Sequence, residues 1–160
     1  MSVRIVFFDC DGTLTKVKSS WEYLHRRLNI WDNNADEHQR LFREGKIDYN
    51  EFCERDALMW RGIESSKIME IIDEIPYHQG SRELMSALKE MNIYTAIIST
   101  GLSLLVNKAR DELGVDMSFS NDLLEDKGLL NGRVRINVQY NKKGALVKGL
   151  LGYLGFAREE

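Results

Sequence analysis

The apolar run Val3-Arg4-Ile5-Val6-Phe7-Phe8 leads straight into Asp9-Cys10-Asp11-Gly12-Thr13-Leu14-Thr15, and no other stretch constrains the fold of this chain as strongly. A continuous apolar strand suits a parallel sheet covered on both faces, and α/β proteins gather their chemistry beyond the carboxyl ends of such strands. Residues two apart on an extended chain point the same way, so Asp9 and Asp11 can face one reacting group. Gly12 permits the tight turn that follows and lets backbone amides through Thr13 approach an anion. An EF-hand calcium loop needs glycine at its sixth position and glutamate at its twelfth. Counted from Asp9, glycine comes fourth and the twelfth residue is Ser20, so that reading fails.

Beyond this strand the periodicity turns helical. Ser20 precedes Trp21-Glu22-Tyr23-Leu24, Asn34 precedes a helix that Gly45 can stop, and Asp48 stands three residues before Glu51 in a capping-box spacing. Ser65 or Ser66 precedes a stripe of Ile68, Ile71, Ile72 and Ile75, which Pro76 closes. The α/β pattern then resumes. Ser81 can cap a helix with Leu84, Leu88 and Met91 inward, Ile93 to Ser99 reads as a second strand, and Gly101 opens a helix through Leu113. Asp116 to Ser120 is a third strand, and Asn131-Gly132 between apolar residues signals a hairpin within Lys127–Val138. A last helix from about Lys143 to Leu154 carries Leu146, Leu150, Leu151 and Leu154 on one side. The expected fold is α/β: a doubly wound parallel sheet from residues 1–15 and 79–160, with residues 16–78 inserted as a helical cap. Trp21, Tyr23, Trp31, Met59 and Trp60 read as cap core rather than as a site.

At 160 residues the chain is one domain, or a core with a small insertion. A formal net charge of -3 gives no reason to expect nucleic acid or an anionic membrane as partner. No stretch approaches the roughly 18 apolar residues of a membrane span. Cys10 and Cys53 stand far apart, which suits a reducing cytoplasm better than a disulfide framework, and His25, His38 and His78 form no zinc-ligand spacing.

The motif Asp9-x-Asp11-Gly12-Thr13-Leu14-Thr15 resembles the first motif of the haloacid dehalogenase superfamily, most of whose members are phosphatases. Ser99-Thr100-Gly101, at the end of the second strand, resembles the second motif. Lys143, in Asn141-Lys142-Lys143-Gly144, resembles the third-motif lysine, with Lys142 and Lys148 as competitors. Gly101 to Lys108 and Phe119-Ser120-Asn121 are similar to the phosphoserine-phosphatase branch, which also inserts a helical cap after the first motif. The resemblance implies that Asp9 attacks phosphorus, giving an aspartyl-phosphate. It implies that Asp11 protonates the leaving oxygen, that Ser99 with the backbone at Thr100 and Gly101 holds phosphate, and that Lys143 neutralises charge. Mg²⁺ is the implied cofactor, bound through Asp9 and Asp11, and a small phosphorylated metabolite is the implied partner.

Two departures accompany the resemblance. Lys18 aligns with the glutamate that holds the ammonium group of phosphoserine, and Asp56 aligns with a carboxylate-binding arginine, Arg55 being one residue off. A cation facing an ammonium repels it, so Lys18 points to a different small phosphomonoester. The fourth motif, Gly-Asp-x-x-x-Asp, has no counterpart before Glu160, and Glu159 and Glu160 lack its spacing. The expectation is therefore a truncated chain or one that borrows a strand, with Ile5–Phe8 on an apolar sheet edge open to self-association. The alternative is a catalytically incomplete domain that binds a phosphorylated ligand or a protein.

Overall fold

The structure, a computed structural model, describes residues 3–156. Glu159 and Glu160 lie outside the described residues. The chain runs β1 (Ile5–Phe8), four helices α1 (Ser20–Arg27), α2 (Asn33–Arg43), α3 (Tyr49–Met59) and α4 (Ser65–Asp73), then α5 (Ser81–Glu90) and β2 (Tyr94–Leu102). It ends in α6 (Ser103–Leu113), β3 (Met117–Asp126), β4 (Leu129–Arg135) and α7 (Lys143–Tyr153). The four strands form one sheet in the order β1-β2-β3-β4, the first three parallel and β4 antiparallel to β3. This is the expected α/β architecture with a mostly parallel sheet. The β1 strand pairs on one side only among the described residues, and Ile5 to Phe8 are half-buried.

Ala96, Ile97 and Ile98 of β2 are buried at the centre of the sheet, as its apolar run requires. Asp116 fixes the approach to β3 by accepting from the backbone N–H of Thr95 at 2.8 Å and from its hydroxyl at 3.0 Å. One continuous apolar cluster joins Trp21, Leu24 and Trp60 of the inserted helices to Ile97, Leu102 and Leu105 of the sheet layer. In particular α1 and α4 pack against each other and against β2 and α6, and α3 lies on β4.

Several elements differ in detail from the sequence reading. Ser19 caps α1 in place of Ser20, Asp32 caps α2, and α5 starts at Ser81 after Gly80, because the Ser81 hydroxyl donates instead to the carbonyl of Leu14 at 3.2 Å. Met85 is the buried apolar residue of α5 and Leu88 packs partly buried against the core as expected, while Leu84 and Met91 are exposed. Gly101 still belongs to β2, and α6 begins two residues later at Ser103. The β3–β4 turn is Lys127-Gly128, both with positive φ (51° and 81°), while Asn131-Gly132 falls at a register shift inside β4. Two consecutive left-handed residues match the twist of a two-residue hairpin. A side chain at Gly132 would meet Arg61 Cβ at 3.0 Å, so the tight contact with the end of α3 accounts for glycine there. Asp48 caps α3 as expected, accepting from the N–H of Glu51 at 2.8 Å.

Candidate active site

The β1 strand ends at Phe8 and releases Asp9, Cys10 and Asp11 into a turn. Asp9 is open to solvent at its carboxylate, 44 % exposed, and is held at both oxygens: the N–H of Cys10 donates to Oδ1 at 2.8 Å, and Lys143 Nζ lies 2.9 Å from Oδ2. Lys143 is the first residue of α7, so the helix start that its charge disfavours is offset by this pairing. Lys143, rather than Lys142 or Lys148, is the lysine that pairs with Asp9.

Asp11 is the more buried of the two carboxyls. Its Oδ2 accepts from both the N–H and the hydroxyl of Ser20, at 2.6 Å and 2.8 Å, while its Oδ1 is buried without a partner. Burial pushes the carboxyl above its ordinary value; the two Ser20 bonds oppose this, the charge of Asp9 adds to it and Lys143 subtracts. Gly101 forms the wall beside it: a Cβ there would lie 2.9 Å from Oδ2 and 3.0 Å from Oδ1. Ser20 also accepts from the N–H of Leu102 at 3.2 Å, which ties the start of α1 to the end of β2.

Ser99 is buried at 1 % exposure, and its hydroxyl oxygen accepts from the N–H of Gly101 at 3.0 Å, leaving the hydroxyl proton to donate. The carbonyl of Thr100 is anchored by Trp21 Nε1 at 3.2 Å, Tyr49 Oη at 2.9 Å and Asn121 Nδ2 at 3.1 Å. Asn121, fully buried, also accepts from the N–H groups of Asn137 and Val138, each at 2.9 Å. The expected anion-facing amides differ from this arrangement. Gly12 donates to the carbonyl of Val17 at 2.7 Å and Thr13 to that of Cys10 at 3.1 Å, so these N–H groups close the turn. The N–H of Gly101 is likewise taken, by Ser99.

A cavity of about 290 Å³ opens over Asp9, Asp11 and the Ser99-Thr100-Gly101 segment and is roofed by the inserted helices. Lys18 lines it, as do Trp21 and Trp31, whereas Trp60 is wholly buried in the core. Arg55 pairs with Glu51 on the outer face, and Asp56 is the residue of that pair that reaches the cavity. Asp56 sits between His25 Nε2 at 3.5 Å and His38 Nδ1 at 3.4 Å. Three participants escaped the sequence reading: Ser20, taken only for a helix start; Arg43, which lines the cavity from α2; and Asn121, noticed only within a short similar segment. No local pattern marks Ser20 or Arg43, whose roles come from the way the insertion folds back. A buried-strand asparagine is the one signal Asn121 offers.

For Mg²⁺ the relevant donors are the open carboxylate of Asp9 and the backbone carbonyl of Asp11. Among the described residues, no three His, Cys, Asp or Glu side chains gather as a metal cage. Mg²⁺ keeps several of its waters and commonly binds through one or two carboxylates plus substrate phosphate, so this all-oxygen set fits a hydrated Mg²⁺.

A strand ending in paired carboxylates, a buried serine on the next strand and a lysine salt-bridged to the first carboxylate meet at the carboxyl ends of β1 and β2. The sequence profile of haloacid dehalogenase-like hydrolases matches residues 6–159, and the chain belongs to that family. Within it the chain falls on the phosphoserine-phosphatase-like branch, whose named relatives are phosphoric monoester hydrolases. It is 30 % identical over 132 residues to a phosphoserine phosphatase of Archaeoglobus fulgidus, covering 82 % of this chain and 38 % of that protein. It is 28 % identical over 158 residues to the phosphoserine phosphatase of Wolinella succinogenes, covering 98 % of this chain and 76 % of that one. A solved structure of a phosphoserine phosphatase carrying a phospho-aspartyl intermediate analogue superposes with a TM-score of 0.82 at 23 % identity, over 98 % of this chain and 75 % of that one. The chain thus spans from over a third to about three quarters of these relatives. Among the described residues, no helix is long and apolar enough to cross a membrane.

Proposed function

We propose that the chain hydrolyses a small phosphomonoester with Mg²⁺ through a phosphoaspartate on Asp9. The observation that carries this reading is the pair of contrasting carboxylates: Asp9 open and ion-paired with Lys143, Asp11 buried and raised in pKa two residues on. A buried carboxyl with a raised pKa suits proton donation, and an open carboxylate suits attack on phosphorus. A carboxylate oxygen of Asp9 attacks phosphorus, and the ester P–O bond breaks. Asp11 delivers its proton to the leaving oxygen. Water then attacks the phosphorus of the phosphoaspartate and gives its proton to Asp11. The acyl-phosphate P–O bond breaks, freeing inorganic phosphate and restoring the Asp9 carboxylate and the protonated Asp11. Ser99 donates its hydroxyl to a phosphoryl oxygen, and Lys143 balances the charge of Asp9 and the phosphoryl group. Mg²⁺, held by Asp9 and the Asp11 carbonyl, supplies Lewis-acid neutralisation of phosphoryl charge when bound.

In this reading residues 16–78 act as the cap over a core of residues 1–15 and 79–160, which agrees with a cavity lined from both sides. Two buried free cysteines suit a reducing cytoplasm, and the one-sided pairing of β1 supports self-association through its edge. The test is release of phosphate from an aryl phosphate by the 160-residue chain, with Mg²⁺ and with chelator. Turnover that needs Mg²⁺ is expected; its absence in both conditions would overturn the reading.

A further inference from the structure

We propose that the substrate carries a second anionic group beyond its phosphate, received by Lys18 and Arg43 at the cap side of the cavity. This rests on the phosphomonoester reading above and narrows its substrate class.

The cavity pairs its acidic groups within the fold and leaves its two cations unpaired. Its charged lining side chains are Asp9, Asp11, Lys18, Glu22, Arg43 and Asp56. Each acidic one already has a partner within the fold. Asp9 faces Lys143, Asp11 accepts twice from Ser20, Glu22 takes the guanidinium of Arg26 at 2.8 Å, and Asp56 lies against His25 and His38. Lys18 and Arg43 are the reverse: neither has a carboxylate partner among the described residues. Two unpaired cations in one small cleft raise the local concentration of anions and favour a ligand that pairs with both.

The two cations come from elements other than those that carry the phosphoryl end. Lys18 precedes α1 and Arg43 ends α2, whereas the phosphoryl end is built from β1, β2 and Lys143 of α7. The same cavity has an aromatic lining, with Phe42 stacked on Phe52 at 5.0 Å and tilted against Tyr49 at 5.9 Å. A flat or apolar body fits against such rings. The substrate class is therefore a small phosphomonoester with an apolar or aromatic body and an anionic tail, carboxylate or phosphate. A free ammonium group in that position is repelled.

Trp21 and Trp31 line the cavity, so ligand binding is readable from tryptophan fluorescence without turnover. The probes are benzylphosphonate, 4-carboxybenzylphosphonate and the 1,4-bisphosphonate, titrated into the full chain with wild-type sequence, Lys18→Gln, Arg43→Gln and the double variant. At least one tail should tighten wild-type binding by about tenfold over benzylphosphonate, a common yield of one charge-assisted pair; which tail gains more tells carboxylate from phosphate. Each single substitution should shrink that ratio and the double variant should abolish it, while Lys18→Arg and Arg43→Lys keep it. A wild-type ratio near one for both tails, no detectable binding of any probe, or a ratio that survives the double variant would overturn the inference. Hydrolysis plays no part in the titration. Loss of turnover alone therefore counts against the phosphatase reading only, and a flat affinity ratio counts against this inference only.

Discussion

Asp11 has one oxygen doubly hydrogen-bonded to Ser20 and the other buried bare, and its environment raises its pKa chiefly through burial. A carboxyl raised on folding favours the folded state only while protonated; as pH climbs past its unfolded value, the charged form penalises the fold. Asp11→Asn keeps the shape without the charge, so it should raise the melting temperature at neutral pH, and the gain should vanish in acid. Thermal melts at several pH values read this directly. The same variant should slow hydrolysis of an alkyl phosphate by about 10²–10⁴-fold, the usual range for a lost general acid–base group. It should matter less for an aryl phosphate whose leaving group needs no proton. Asp9, Asp11, Ser99 and Lys143 were legible in the sequence because each sits in a short run at a strand end or helix start. Ser20 and Arg43 were not, since each meets the site only after the inserted helices close over it.

Where β2 runs out, an element must stop without disturbing the carboxylates beside it. Gly101 does this by having no side chain: a Cβ would press on both Asp11 oxygens and on Ser20 Oγ at 2.9–3.0 Å. Gly101→Ala should cost about 1–3 kcal/mol of stability by overpacking and lower kcat along with it; urea melts and kinetics on one preparation test both. Asn121 holds the next strand to the Thr100 carbonyl and to the segment before α7. Asn121→Leu should cost about 1–3 kcal/mol for each buried group it orphans. Element identity was readable from periodicity and caps, as Asp48 shows for α3. Element phase was not. Leu84 lies on the exposed face of α5 while Met85 takes the buried position, and the hairpin turns at Lys127-Gly128 while Gly132, at a register shift, sits close to Leu58 and Arg61. Both outcomes depend on neighbours that local pattern does not contain.

At the scale of the whole molecule, the insertion and the sheet share one apolar cluster, so the roof over the site is an extension of the core. Tyr140 meets it from the loop before α7, edge-on to Phe42 at 5.2 Å and 5.9 Å from Tyr49. Tyr140→Ala should loosen this closure and raise KM by about two- to tenfold with kcat little changed, matching ~0.5–1.5 kcal/mol for aromatic pairing. The α/β class and the helical insertion followed from the alternation of apolar strand and helical stripe. The cavity between them did not, because it is made of residues from both parts.

The central claim is that Asp9 is the nucleophile, and the most direct measurement is a search for phosphate on it. The chain is mixed with an aryl phosphate and Mg²⁺, quenched in acid, digested and examined by mass spectrometry, with Asp9→Asn alongside. The account predicts one phosphoryl group on the peptide bearing Asp9 in the wild-type chain, and in Asp9→Asn no such group together with a loss of turnover exceeding about a thousandfold. Turnover that persists in Asp9→Asn, or a phosphoryl group on another residue, would contradict it.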